Sequence, residues 1–175
     1  LLNEAYKIFV KNFGEKDRDV ASTSNNLGIT LEGLGRIDEA EKYYKKSLDV
    51  YLKLYGPNRP EISTLHNNLA YVYISKNNLP EAESNFKKSL ELKIKTMGIN
   101  HSLVGLAYMN LGALQFTMKN FKSSETNLLS SIQNFNSSLN NNHVWVGLAD
   151  FWYSKILIEK SFYDEAENHI KKALV

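Results

Sequence analysis

Asp38-Glu39-Ala40-Glu41 recurs three times along the chain, and each copy lies 42 residues after the last. The copies are Pro80-Glu81-Ala82-Glu83, Lys122-Ser123-Ser124-Glu125 and Asp164-Glu165-Ala166-Glu167. The same step carries Leu27-Gly28 to Leu69-Ala70, Leu111-Gly112 and Tyr153-Ser154. A fixed period of about 20 to 50 residues is typical of a solenoid, in which each unit buries its apolar face against its neighbours. The sequence therefore predicts a repeat array.

Residues 21–62 show one repeat, which begins with a helix that we call helix A. Leu27, Gly28, Leu31 and Leu34 recur at spacings of three and four. This spacing predicts that they share one face of a helix from Ala21 to about Gly35.

A second helix, helix B, follows in the same repeat. Asp38 and Glu41 have the spacing of a capping box, which predicts that helix B begins there. Gly56 is expected to end it near Tyr55, and Pro60 to open the next helix A. The predicted buried face of helix B is Ala40, Tyr44, Ser47, Leu48 and Tyr51. In the second copy the corresponding residues of helix A are Leu69, Ala70 and Tyr73, and those of helix B are Ala82, Phe86, Ser89 and Leu90. In the third copy they are Leu111, Gly112 and Leu114 in helix A, and Ser124, Leu128, Ser131 and Ile132 in helix B.

The repeat register divides the chain into four repeats in a single solenoid domain. They are predicted at residues 21–62, 63–104, 105–146 and, truncated, 147–175. Residues 1–13 align with residues 43–55, so residues 1–18 are interpreted as the C-terminal half of a preceding repeat. Terminal repeats normally present a polar outer face, yet Leu1, Leu2 and Val175 are apolar. We therefore expect a fragment of a longer protein with further repeats on both sides.

Composition narrows the classes of function. The 175 residues carry a formal net charge of +2, too mild to point to nucleic acid or an anionic membrane as partner. The absence of cysteine excludes disulfides, thiolate metal sites and cysteine nucleophiles. No apolar run approaches the roughly 18 residues of a membrane span, and no signal peptide opens the chain, so we expect no membrane insertion and a cytoplasmic location.

The pattern of the two helices resembles the tetratricopeptide repeat (TPR). Its helix B signature matches Tyr-Tyr-Lys-Lys-Ser-Leu at 43–48 and Asn-Phe-Lys-Lys-Ser-Leu at 85–90. The long period, with Asn-Asn-Leu-Gly at 25–28 and Asn-Asn-Leu-Ala at 67–70, is similar to the kinesin light chain type. The resemblance implies an all-α, right-handed superhelical solenoid of about nine helices, acting as a scaffold or adaptor that binds a partner's peptide or helix in its concave groove.

In this family the A helices line the concave surface, which implies a set of groove residues. The predicted peptide-binding groove comprises Asn25, Asn26, Asn67, Asn68, Tyr71, Met109, Asn110, Phe116, Phe151, Trp152 and Lys155. Other inward positions include Ser22, Thr64, Leu106, Leu148, Ile29, Ala113, Glu32, Ile74 and Ile158. Some domains of this family bind an acidic C-terminal peptide through lysine or arginine at the positions that correspond to residues 25, 67, 106, 110 and 152. None of these residues is basic here, so we do not expect this chain to bind such a peptide.

Two features of this groove have alternative interpretations. Asn26, Asn68 and Asn110 form a ladder of amides able to donate to and accept from a peptide backbone, and matching asparagines contact cargo peptide in kinesin light chains. Alternatively, each bonds within its own helix or to the next repeat. Trp152 either joins an aromatic pocket with Phe151 and Tyr153 or packs against the adjoining repeat.

Residues able to carry catalysis lack a catalytic arrangement. No two of His66, His101, His143 and His169 have the i, i+4 spacing of a helical metal pair. The carboxylates of Asp38 and Asp164 stand at helix starts, and Gly33, Gly35 and Gly56 are turn or helix-end glycines. We therefore expect neither an enzyme nor a metal, a cofactor or a small-molecule substrate.

Lysine pairs recur on helix B at Lys45-Lys46, Lys87-Lys88 and Lys171-Lys172. One alternative function is RNA binding through this convex face, although Glu41, Glu83 and Glu91 interrupt it. The other interpretation of these lysines is a solvated helix face. Self-assembly through the repeat ends is a further alternative.

Overall fold

The computed structural model describes residues 2–14, 17–139 and 143–174, and these residues form nine α-helices and no strand. The helices are α1 (Leu2–Phe13), α2 (Arg18–Gly33), α3 (Ile37–Tyr55), α4 (Pro60–Ser75), α5 (Leu79–Met97), α6 (Ser102–Thr117), α7 (Phe121–Ser138), α8 (Val144–Glu159) and α9 (Tyr163–Ala173). Helix A of each repeat is therefore α2, α4, α6 or α8, and helix B is α3, α5, α7 or α9. The predicted all-α class is confirmed.

The chain divides into two compact units, Leu1–Leu92 and Lys93–Val175, described separately below as the first and second units. In the first unit, α2 packs on α1, α3 and α4. Its core includes Leu31, Ala40, Tyr44, Leu65 and Leu69, all buried. In the second unit, α6 and α8 both pack on α7, and α9 packs on α8. The core there includes Met109, Leu128, Phe135, Val146 and Ile156.

Small residues recur where helices A and B of one repeat meet. Ser47, Ser89 and Ser131 are fully or almost fully buried, as predicted. Each hydroxyl also donates to a helix A carbonyl 26 residues earlier in the chain: Ser47 to Ala21 at 2.7 Å, Ser89 to Ser63 at 2.7 Å and Ser131 to Gly105 at 2.9 Å. A buried hydroxyl needs such a partner, so this position serves close packing and hydrogen bonding together.

Two local predictions are wrong. The Asp38–Glu41 pair is not a capping box, because α3 begins at Ile37 and its N-cap, Arg36, makes no side-chain capping bond. Both carboxylates instead lie 2.5 Å from Lys76 Nζ, at the end of α4. Leu34 does not share the buried face of α2, since it is 66% exposed in the turn that follows that helix.

The helix boundaries near Gly56 and Pro60 are confirmed. Gly56 has a φ of 72° at the C-cap of α3, a left-handed conformation that favours glycine, and Pro60 is the first residue of α4. The turn between helices A and B also needs one left-handed residue, and Gly35, Asn77, Lys119 and Ser161 adopt it in successive repeats.

Candidate binding surfaces

The groove residues predicted in the first unit lie on α2 and α4. Asn26 is exposed, whereas Asn25, Asn67 and Asn68 are half-buried. Asn68 Nδ2 donates to Asn25 Oδ1 at 3.1 Å, so this pair bonds from one repeat to the next. An amide side chain has two N–H donors and a carbonyl with two lone pairs, so the bond uses only part of the capacity of each residue.

Tyr71 lies one turn further along α4 and is 40% exposed. Its ring packs edge-on against Phe86, with centroids 5.3 Å apart. Burial, with a smaller contribution from the negative charge of Glu32, raises the pKa of the Tyr71 phenol. Tyr71 therefore offers a neutral hydroxyl and part of an aromatic ring to solvent. Ile29, on α2, and Ile74, on α4, are also exposed.

The first unit also contains a cavity of about 160 Å³ between the N-terminal halves of α2 and α4. It is lined by Ser22, Asn25, Tyr51, Glu61, Thr64 and Leu65. Ser22, Asn25 and Thr64 were predicted to face inward. The contributions of Glu61 and Tyr51 were missed; Glu61 lies less than one helical turn before Thr64, which was the available signal.

The groove residues predicted in the second unit lie on α6 and α8. Asn110 and Phe116 are half-buried, and Phe151 is 42% exposed. The prediction for Met109 is wrong, because its side chain is only 6% exposed and belongs to the core cluster that includes Val146 and Ala149 of α8.

Trp152 packs against the adjoining repeat. It is half-buried against the core of the second unit, and its ring meets Phe116 of α6 with centroids 6.0 Å apart. Phe151 lies beside it on α8, at 5.9 Å between centroids.

Lys155 lies among these three aromatic rings. Its Nζ is 4.7 Å from the ring centroid of Trp152, 5.2 Å from that of Phe151 and 5.6 Å from that of Phe116. Distances within about 6 Å allow cation–π attraction, which holds a charged side chain in place. Among the described residues, no carboxylate forms an ion pair with Lys155.

An apolar row extends from Phe151 in both directions along α8. Val144, Leu148, Phe151 and Ile158 are 67%, 41%, 42% and 43% exposed. With Lys155 they are spaced by four, three, four and three residues, so they occupy one helix face, called here the α8 face. Val144 was missed in the sequence, although the same spacing leads to it.

Lys45, Lys87 and Lys171 of helix B are exposed, and each forms an ion pair with a glutamate. Lys45 pairs with Glu41 at 2.5 Å, Lys87 with Glu83 at 2.9 Å and Lys171 with Glu167 at 2.6 Å, each across one helical turn. This surface therefore carries both signs of charge, as expected for a solvated helix face.

The four histidines have structural contacts. Nδ1 of His101 and of His143 accepts a backbone N–H at the start of α6 and α8, at 3.1 and 3.2 Å. His66 Nδ1 lies 2.9 Å from Asn85 Oδ1, and His169 Nδ1 lies 2.5 Å from Asp150 Oδ1. Within residues 2–14, 17–139 and 143–174, no cluster of histidine and carboxylate side chains is placed to hold a metal ion.

None of the helices in the same described ranges has the length and apolar character of a membrane span.

The chain matches a family model described as "Tetratricopeptide repeat" over residues 1–53, 19–95 and 61–137. Among curated proteins, no sequence matches it.

Solved structures give the same fold. BtubC (BKLC) from P. vanneervenii superposes with a TM-score of 0.88 at 17% identity, covering 98% of this chain and 68% of that one. The kinesin light chain-type protein of Podosopora anserina, with nearly identical TPR-like repeats, gives 0.82 at 13% identity, covering 98% and 82%. The apo form of RapI gives 0.83 at 17% identity, covering 97% and 61%.

Proposed function

Because this chain belongs to the tetratricopeptide repeat family, we propose that it is a protein-interaction scaffold whose A helices bind a segment of a partner protein. Repeats of this family generally serve protein–protein interaction, and proteins built from them are generally not enzymes. The observation that carries the proposal for this chain is the α8 face, where Val144, Leu148, Phe151 and Ile158 are 41% to 67% exposed.

The α8 face has the properties of a protein-binding surface. Single exposed apolar residues are ordinary, but a continuous row of large ones marks a place where a partner removes apolar area from water. Phe151 stands at its centre, and its ring is fixed by contacts with Trp152 and Lys155. A rigid aromatic residue loses little conformational entropy on binding, so Phe151 is the expected hot spot.

Lys155 indicates the chemistry of the bound segment. Lys155 lies between Phe151 and Ile158 in the row, and no described carboxylate forms an ion pair with it. An acidic residue of the ligand would form a charge-assisted bond there, while flanking apolar residues would cover Phe151 and Leu148. The expected ligand is therefore a segment with one acidic residue between large apolar residues.

The surface of the first unit provides a second contact area of more polar character. Asn25 and Asn68 retain donors and acceptors for a peptide backbone, and Tyr71 and Ile29 supply exposed apolar area beside them. We propose that these side chains hold extended backbone rather than select side chains, because amide groups bond any peptide unit alike.

Selection from a random 16-residue peptide display library against the chain tests the proposal. We expect enriched peptides with an acidic residue between apolar ones. Phe151→Ala should weaken their binding roughly tenfold or more, as expected for a hot-spot aromatic. Lys155→Met should weaken it less and reduce its dependence on salt, because the lost contact is ionic.

Leu129→Ala is the matched control, because Leu129 is 44% exposed in the same unit but lies on α7. It should leave peptide binding unchanged. A failure to enrich any peptide, or equal losses in the Phe151 and Leu129 variants, would overturn the proposal.

A further inference from the structure

The cavity of the first unit is lined by residues of α2, α3 and α4, and its chemistry differs from that of the α8 face. Its volume of about 160 Å³ is below the roughly 300 to 1,000 Å³ of pockets that enclose small-molecule ligands. A cavity of this volume has room for one amino-acid side chain rather than for a larger ligand. The buried residues Tyr51 and Leu65 provide apolar surface, and Ser22, Asn25, Glu61 and Thr64 provide polar groups.

The polar groups of this cavity include several hydrogen-bond acceptors and one full charge. Of the described residues that line it, Glu61 alone is charged. Among residues 17–139, Glu61 forms an ion pair with Arg59, whose Nε lies 3.6 Å from Glu61 Oε2, beyond a good hydrogen bond. Glu61 Oε2 is buried, and no donor of the described residues forms a hydrogen bond with it. Ser22 and Asn25 add neutral acceptor oxygens.

From this arrangement we infer that the cavity is a subsite for a lysine side chain of the bound partner protein. A lysine has an apolar four-carbon stem and an ammonium with three N–H donors. The stem would lie against Tyr51 and Leu65. The ammonium would meet the Glu61 carboxylate together with the oxygens of Asn25 and Ser22. The inference rests on the proposed function in that the occupant belongs to a bound protein.

The negative charge of Glu61 acts on Tyr51, which also lines the cavity. Burial first, and then the negative charge of Glu61, raise the pKa of the Tyr51 phenol, although the charge of Arg18 and its hydrogen bond oppose them. Arg18 and Arg59 do not line the cavity. Arg18 nevertheless contacts Tyr51, and Arg59 pairs with Glu61. Because these two cations lie beside lining residues, an acidic side chain is the alternative occupant, and the experiment includes it.

Titration of the ¹⁵N-labelled chain with N-acetyl-lysine N-methylamide, followed by two-dimensional NMR, tests the inference. We expect saturable shifts of the backbone resonances of Ser22, Asn25 and Thr64. The norleucine analogue, which has a similar stem without the ammonium, should bind the wild-type chain at least about fivefold more weakly than the lysine probe does. The lysine probe should lose affinity for Glu61→Gln by a similar factor, because in both cases the charge-assisted bond is missing.

Glu81→Gln is the matched control, because Glu81 also stands in the first turn of a helix but does not line the cavity. It should bind the lysine probe as the wild type does, and circular dichroism should show that both variants are folded.

N-acetyl-glutamate N-methylamide is the probe for an acidic occupant. Equal binding of the lysine and norleucine probes, unchanged binding of the lysine probe by Glu61→Gln, or tighter binding of the glutamate probe than of the lysine probe would overturn the inference. Its failure is distinguishable from that of the proposed function. If display selects peptides on the α8 face while the lysine probe does not bind, the subsite alone is wrong. If the probe binds while no peptide is selected, the proposed function is wrong, and the affinity of the cavity for a lysine side chain stands without a bound partner to supply that side chain.

Discussion

Lys76 Nζ, at the end of α4, lies 2.5 Å from Glu41 Oε2 in α3, which ties helix A of one repeat to helix B of the repeat before it. Two 42-residue steps later, Lys160 Nζ lies 2.6 Å from Glu125 Oε1 in the same arrangement. The residue in register between the two lysines is Met118. The ion pair thus belongs to particular repeats and is not a property of the repeat pattern.

The Glu41 ion pair makes stability depend on pH. Burial opposes the charge of Glu41, but hydrogen bonds from Lys45 and Lys76 outweigh it and lower the pKa of Glu41 to about 2. The pKa lies below the ordinary value of 4.5, so the pair stabilises the fold above about pH 4.5, and this contribution is lost as the pH falls towards 2. The free energy of unfolding of Glu41→Gln should therefore fall below that of the wild type at neutral pH and converge with it near pH 2.

Urea unfolding at a series of pH values measures this difference. Asp49→Asn is the control, because the Asp49–Lys53 pair is more than half exposed and such pairs contribute little. A gap between Glu41→Gln and the wild type that is the same at pH 7 and pH 2 would contradict the assignment.

Gly28 is predicted to tolerate no side chain. A Cβ atom at this position would lie 2.5 Å from Cε1 of Tyr44, whose ring is fully buried and whose hydroxyl donates to Glu32 at 2.7 Å. Because the ring has little freedom to move, Gly28→Ala should lower the free energy of unfolding by about 1 to 3 kcal/mol.

Gly33→Ala in the same helix is the control for Gly28→Ala. Apart from its chain neighbours and the backbone of its own helix, no atom of the described residues lies within 4 Å of its Cβ position, so the added methyl group should leave stability unchanged or raise it by up to about 1 kcal/mol. Thermal unfolding of the two variants checks the pair of predictions, and equal effects would refute the close approach of Gly28 and Tyr44.

The buried serine of helix B is predicted to contribute through its hydroxyl. Ser89 is 1% exposed and donates to the Ser63 carbonyl at 2.7 Å, so Ser89→Ala should cost about 0.5 to 1.5 kcal/mol despite the better helix propensity of alanine. Ser84→Ala, exposed on the same helix, should be neutral or slightly stabilising. Urea unfolding measures both variants, and a neutral Ser89→Ala would show that only the size of the residue matters there.

The two asparagines of the predicted ladder in the first unit should respond differently to alanine. Asn68→Ala removes the bond to Asn25 and should lower stability by up to about 1 kcal/mol, since the loss is partly offset by helix propensity. Asn26 is exposed, so Asn26→Ala should hold or raise stability. If both variants also weaken the selected peptides, the ladder contacts the ligand in addition to its role between repeats.

The helix B lysines are predicted to be dispensable for partner binding. Lys45 and Lys87 already pair with Glu41 and Glu83, so changing both lysines to alanine should leave the affinity for the selected peptides unchanged. A labelled 12-nucleotide single-stranded RNA tests the alternative function. Micromolar binding that falls steeply with salt and disappears in the double variant would favour RNA binding.

Much of the fold follows from patterns that repeat at fixed spacing. Ala40 and Ala82 were predicted to be buried where helices meet, and both are fully buried. Periodicity and helix-end residues are local properties, so the helix pairs and their ends near Gly56 and Pro60 could be predicted. The absence of the predicted capping box at Asp38 could not be foreseen in this way, because the contact that Asp38 makes instead is with Lys76, in the next repeat.

Only part of the candidate site could be predicted for the same reason. The resemblance led to Phe151 and Asn68, but it did not indicate that Lys155 lies among three aromatic rings or that Glu61 lines a cavity. These relationships join side chains of different helices, whose distances no spacing within one helix specifies.

The sequence by itself determined the period, the pairing of helices A and B and the small residues at their contacts, because each repeat meets the same local packing requirements. Only the tertiary structure decided what covers each position. Met109 and Phe151 hold the same place in successive repeats, yet Met109 is 6% exposed within a core that includes Val146 and Ala149, while Phe151 is 42% exposed. Likewise Lys119 adopts the left-handed turn conformation that Gly35 adopts freely, because the helices on either side fix the backbone between them.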